Sequence, residues 1–197
     1  MRKLFVIIVV MLSFSFVAGA QRQQREDYDL EHRARLAFTQ NIGDYLFLGT
    51  LNAELQYSVH RNWTVALGAR YNNWTWRARQ DNQFENRQQT YYAGARWWPW
   101  YTYSGWWVGA KFQYQEYNRG GLLSQQTEEG DAMGLAVGAG YSVHVNRWLN
   151  VDFGLYGWGG ATKYVTYACP YCGRRVGEGM KAFILPDDVL ISLMFIF

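Results

Sequence analysis

This 197-residue chain has little charge, two cysteines, three prolines and three histidines, and beyond its first residues no long apolar run. A membrane helix needs roughly 20 nearly continuous apolar residues. With a mean hydropathy of −0.28 and 18% charged residues, a bundle of such helices is excluded. The scarcity of charge does not signal disorder, because a chain that is 49% hydrophobic has ample apolar surface to offset the entropy of ordering. One domain is the expectation at this length.

The first segment is built for targeting. Arg2 and Lys3 precede an apolar run from Leu4 to Val17, and Ala18-Gly19-Ala20 supplies small residues at a cleavage position, so residues 1–20 read as a secretory signal peptide. No cysteine follows that site, which gives no support for a lipoprotein anchor. Loss of Arg2 and Lys3 lowers the formal charge from +3 to +1, leaving no electrostatic footprint for nucleic acid. Residues 21–31 then form a short polar, charged segment expected in the periplasm.

From there the dominant period is two. Leu51, Ala53, Leu55, Tyr57 and Val59 alternate with Asn52, Glu54, Gln56 and Ser58, the pattern of a strand with one apolar and one polar face. The same alternation runs through 63–72, 106–115, 133–142 and 149–156, with weaker versions at 34–39 and 91–98. Val189 to Phe197 is apolar on both faces. About eight strands result. Short links at 60–62, 99–105 and 145–147 alternate with longer polar segments at 78–89, 118–130 and 162–188, which are expected as loops. Tyr57-Ser58-Val59-His60 before Trp63 is echoed by Tyr141-Ser142-Val143-His144 before Trp148, each at a short link.

Which face meets solvent decides between a water-soluble and a membrane barrel. The polar sets hold Gly, Asn, Gln and Ser with isolated charges of both signs, whereas a wet surface is normally dense in Lys and Glu. Aromatics gather at strand ends: Tyr57, Trp63, Trp97, Trp98, Trp106, Tyr141 and Trp148 near the turns, and Tyr71, Tyr91 and Tyr114 toward the loops. Amphipathic rings suit headgroup level. The expected fold is therefore all-β: an eight-stranded antiparallel up-and-down transmembrane β-barrel over residues 32–197. Its termini are expected in the periplasm and its long loops outside. The alternating final strand, with Phe195 and Phe197, has the form of a C-terminal insertion signal for the machinery that assembles outer-membrane barrels.

Taken in order, Leu36-Ala37-Phe38-Thr39-Gln40-Asn41, Leu51 to Val59, Asn62-Trp63, Leu149-Asn150-Val151-Asp152-Phe153-Gly154 and Ile191-Ser192-Leu193 resemble the domain-of-unknown-function 3575 family of Bacteroidota-type outer-membrane proteins. The resemblance implies a small barrel of OmpA/OmpX-like architecture, and it carries no catalytic residues or cofactor to transfer. It also implies an association with surface-appendage systems.

Eight strands leave an interior just wide enough for side chains. The inward set Arg35, Asn52, Glu54, Arg70, Arg96, Lys111, Asn150 and Asp152 mixes signs and is expected to pair into a plug, the alternative being a narrow ion path. Enzymatic action on outer-leaflet lipid would need a base near the loops. His60 and His144 fall at turns and His32 precedes the first strand, so a non-enzymatic barrel is favoured over a lipid-modifying enzyme.

Two further constellations stand out. Cys169-Pro170-Tyr171-Cys172 has the spelling of a redox motif but no helical pattern follows it. In an exported chain a local disulfide is favoured over metal binding or redox catalysis. Trp74, Trp76, Tyr156 and Trp158 fall on the polar-face register toward the loops. They form either an extracellular aromatic platform for a glycan or a packed cap over the interior. The function expected is surface interaction, appendage association or envelope integrity. The partners are outer-membrane lipid and a surface protein or glycan, with no cofactor.

Overall fold

The computed structural model describes residues 36–46, 49–76, 84–120, 126–169 and 173–197; within these the side chain of Trp76 is not described. The signal-peptide and periplasmic-segment expectations, Arg35, His32 and Cys172 lie outside the described residues. In chain order the elements are β1 (Leu36–Asn41), α1 (Ile42–Leu46), β2 (Leu51–His60), β3 (Trp63–Asn72), β4 (Thr75–Trp76), β5 (Phe84–Trp97), β6 (Gly105–Gly120), β7 (Thr127–Asn146), β8 (Leu149–Tyr167) and β9 (Arg175–Ile196). Apart from β4, a two-residue rung beside β5, eight antiparallel strands run up and down in sequence order. β9 closes onto β1 through Ala37↔Ile196 to Asn41↔Ser192, and β3 pairs with β5 from Trp63↔Trp97 to Asn72↔Gln88, so the sheet is a closed ring. Among the described residues no helix is long and apolar enough to cross a membrane.

Apolar side chains face outward from the ring and polar ones face into it. Leu55, Leu67, Val137 and Leu155 point outward and are exposed, Leu67 by 68% and Leu155 by 62%. Their alternates Glu54, Gln56, Arg96, Asn150 and Asp152 are buried, Arg96 at 3% and Asp152 at 0%. Outward rings mark both ends of this belt: Tyr57, Trp63, Trp97, Trp106 and Trp148 at the short-turn end, and Tyr71 and Tyr91 at the other. Trp98 departs from its expected place among these anchors. It sits wholly inside the ring, donates its indole N–H to Thr64 Oγ1 at 3.1 Å and packs edge-on to Tyr103.

The echoed motif marks two equivalent turns. Both the β2–β3 and the β7–β8 hairpins carry a bulge just before the turn, between Ser58 and His60 and between His144 and Asn146. At the other end the expected loops are largely strand. β8 continues to Tyr167 and β9 begins at Arg175, so most of the 162–188 segment is a long hairpin with Tyr164 opposite Gly179. Likewise 84–89, 118–120 and 127–130 belong to β5, β6 and β7. Backbone pairing holds these extensions, and with little buried on either face they have no need of alternation. The first half of β9, from Arg175 to Pro186, is exposed on almost every residue and forms an arm beyond the ring.

A bulge separates that arm from the rest of β9. Asp188 pairs with Tyr156 and Pro186 with Gly157, leaving Asp187 as the extra residue. Proline, lacking an N–H, is tolerated at such a break. The extra residue turns two consecutive carboxylates toward the interior, which strict alternation forbids.

Candidate functional site

The interior holds two stacked layers of paired charge. In the layer nearer the short turns, Arg96 of β5 donates to Asp152 Oδ2 of β8 and to Glu54 Oε1 of β2, each at 2.8 Å. The Trp107 indole N–H donates to the other Asp152 oxygen at 2.7 Å, and the Arg96 guanidinium lies 4.6 Å from the Trp107 ring centroid. Gln56 Nε2 donates to Glu54 at 2.7 Å. Below this layer Asn150 donates to the Tyr103 carbonyl at 2.6 Å and shares a 3.0 Å contact with His144 Nδ1. A buried guanidinium is tolerable here because its charge is matched and hydrogen-bonded on both arms.

The second layer joins Arg70 of β3 and Lys111 of β6 to the bulge. Arg70 reaches Asp187 at 3.3 Å and Asp188 at 2.5 Å, and Lys111 Nζ reaches the same pair at 2.8 and 2.5 Å. Gln113 Nε2 adds a bond to Asp187 at 3.0 Å. Tyr92 and Tyr156 flank the ammonium, each ring centroid 4.5 Å from Lys111 Nζ. Glycines make room for this aromatic filling: a Cβ on Gly140 would lie 2.4 Å from Trp107, and Trp107 stacks on Tyr156 at 5.5 Å.

α1 completes the wall where β1 stops short. Asn41 caps it, its Oδ1 accepting from Gly43 N and from Ile191 N, both at 3.0 Å. Asn52 grips the Asn41 backbone from both sides, accepting its N–H at 2.7 Å and donating to its carbonyl at 2.8 Å. Asp44 on α1 lies 3.9 Å from Arg70 and adds a third carboxylate beside that guanidinium. An interior void of about 10 Å³, lined by Asp44, Glu54, Arg70, Arg96, Asp188 and Ser192 among others, has room for about one water.

Of the residues singled out for the interior, Asn52, Glu54, Arg70, Arg96, Lys111, Asn150 and Asp152 all line it. Asp44, Asp187 and Asp188 were missed. The imbalance was itself a signal, since Arg70, Arg96 and Lys111 outnumber Glu54 and Asp152, and Pro186-Asp187-Asp188 directly precedes the final alternating strand.

The four aromatics do not make one platform. Trp74 is exposed at the rim and donates its indole N–H to the Gly49 carbonyl at 3.0 Å. Tyr156 is deep inside on Trp107, and Trp158 is buried edge-on against Phe183 at 4.6 Å. Trp76 lends its backbone to the pairing with Phe84. Cys169 is disulfide-bonded at the tip of the β8–β9 hairpin, where Ala168 N donates to the Arg174 carbonyl at 2.9 Å. Phe195 stacks on Trp148 at 6.0 Å, and the Phe197 N–H donates to the Leu36 carbonyl at 2.8 Å.

Fold and interior together define an all-β protein whose eight up-and-down strands close into a ring around buried ion pairs. Over residues 5–197 the chain matches the model of a family described as protein of unknown function (DUF3575), and it belongs to that family. A search of curated proteins finds no match.

Proposed function

We propose that the protein is a small, non-enzymatic outer-membrane β-barrel with a plugged interior, acting through its outer extensions in surface interaction, appendage association or envelope integrity. The observation that carries this is the inverted surface. From Trp63 to Tyr71 on β3 and from Trp106 to Tyr114 on β6 an outward apolar stretch separates two rings, about 26 Å of strand in each case. That suits the apolar band of a transmembrane barrel, about 25 Å tall between aromatic girdles. Outer-membrane lipid is then the solvent of the outer face, and the termini and short turns lie on the periplasmic side.

The two charged layers and the one-water void support a plug over an ion path. His60 sits at the β2–β3 turn and His144 is tied to Asn150, far from the outer leaflet, which disfavours lipid-modifying chemistry. Insertion of the last strand, with Phe195 and Phe197, by barrel-assembly machinery belongs to the same proposal, as does a Cys169–Cys172 disulfide. Fractionation of envelopes, with gel migration before and after boiling, tests the barrel. Recovery of a soluble protein without detergent would overturn it, and stable conductance steps in planar bilayers would overturn the plug.

A further inference from the structure

We infer that the free edge of the β9 arm is a homophilic docking strand, pairing antiparallel with the same strand of a second copy about a two-fold axis at Met180. Among the described residues β1 pairs with β9 from Ser192 to Ile196, the Asn41 side chain at its end bonds the Ile191 N–H and the Val189 carbonyl, and Gly43 of α1 lies against Val189. From Arg175 to Pro186 β9 pairs with β8 on one side, and no described strand pairs on the other. A long edge of unsatisfied backbone groups is a template for strand addition, and proteins that avoid pairing place charge or proline along it. Here proline stands only at the base of the arm, while Val176, Met180 and Ile184 are 56%, 66% and 89% exposed.

The spacing of those three residues selects the occupant. They recur every fourth position on one face, symmetric about Met180. In an antiparallel pair centred there Val176 meets the second copy's Ile184, Met180 meets Met180, and all three stack on one face. Of the charged residues, Glu178 faces Ala182, Lys181 faces Gly179 and Arg175 faces Leu185, so no like charges oppose. Shifting the centre by one residue, to Gly179 or Lys181, sets Val176 against Ala182 or Pro186 and Glu178 against Met180 or Ile184, so the apolar match is lost.

Met180 lies nine residues before Val189, about 30 Å of strand above the first outward apolar residue on the ring side of the bulge. Antiparallel pairing reverses strand direction, so the two copies are rooted in facing surfaces. That orientation rests on the membrane proposal; the strand pairing does not.

Variants of the full chain with Cys169 and Cys172 replaced by serine and one cysteine added elsewhere, treated with a short bis-maleimide, test the register. Met180→Cys is expected to crosslink to itself. Glu178→Cys and Ala182→Cys are each expected to stay monomeric alone and to crosslink when mixed, and adding Ile184→Lys to Met180→Cys should lower the dimer at least tenfold. Absence of the Met180→Cys dimer in protein with the compact unboiled gel migration, or equal crosslinking at all three positions, overturns the pairing. Clustering of vesicles carrying the wild-type chain but not Ile184→Lys supports the facing arrangement, and wild-type vesicles that stay apart overturn it. A protein that proves soluble without detergent refutes the membrane proposal while leaving the crosslinking pattern as a separate result.

Discussion

Replacing Arg96 by methionine keeps much of the side-chain volume and removes the charge at the centre of the lower layer. Two 2.8 Å charge-assisted hydrogen bonds disappear, one to Asp152, which is fully buried, and one to Glu54, which is nearly so. At roughly 1.5–3 kcal/mol for each such bond, the loss falls near the roughly 3–5 kcal/mol typical of breaking a buried pair and stranding the partner. Trp107 touches both Asp152 and the guanidinium, so its fluorescence reports the layer directly. Urea unfolding in detergent micelles, followed by tryptophan emission, is expected to show Arg96→Met destabilised by about 3–5 kcal/mol. Adding Glu54→Gln and Asp152→Asn to the same chain removes the stranded charges and should recover more than half of that loss. A cost under about 1 kcal/mol for Arg96→Met, or no recovery in the triple variant, would refute a plug held by matched charge.

Other expectations follow from single positions. Gly140→Ala puts a Cβ 2.2 Å from the Phe153 carbonyl and 2.4 Å from Trp107, and thermal unfolding should register a loss of about 1–3 kcal/mol. Leu67→Arg in the middle of the belt should cost about 2–4 kcal/mol in lipid bilayers, whereas a water-facing site would change by less than about 0.5. Maleimide labelling of unreduced protein should find no free thiol, and two reactive thiols would reject the disulfide.

The ring was legible from the sequence wherever two environments differ across a strand. Leu51 to Val59 alternates because one face of the strand is exposed and the other meets the polar interior, and each side chain must choose. The arm gave no such signal: around Lys163–Thr166 and Glu178–Lys181 neither face is deeply buried, so composition there resembles a loop although β8 and β9 pair along it. Within the interior, polar residues on the alternating register were found from pattern alone. Asp187 was hidden by the bulge and Asp44 by its short helix, since neither obeys a period of two. Trp98 was misplaced for a different reason: a ring at a strand end looks the same in sequence whether it turns outward or into the interior, while Tyr156 keeps the inward register that its alternation gave it.

The extra residue at Asp187 also acts as a phase shifter. Below it, the odd-numbered Val189 and Ile191 face outward, and above it the even-numbered Ile184, Met180 and Val176 do. Deleting Asp187 would do more than remove one carboxylate. It would exchange inside for outside along the whole arm, carrying Lys181 away from Glu128 and Phe183 away from Trp158. Length changes in this part of the chain are therefore tolerated in pairs or at the hairpin tip, and a single-residue change at the Pro186–Asp188 bulge rewrites which surface the molecule shows.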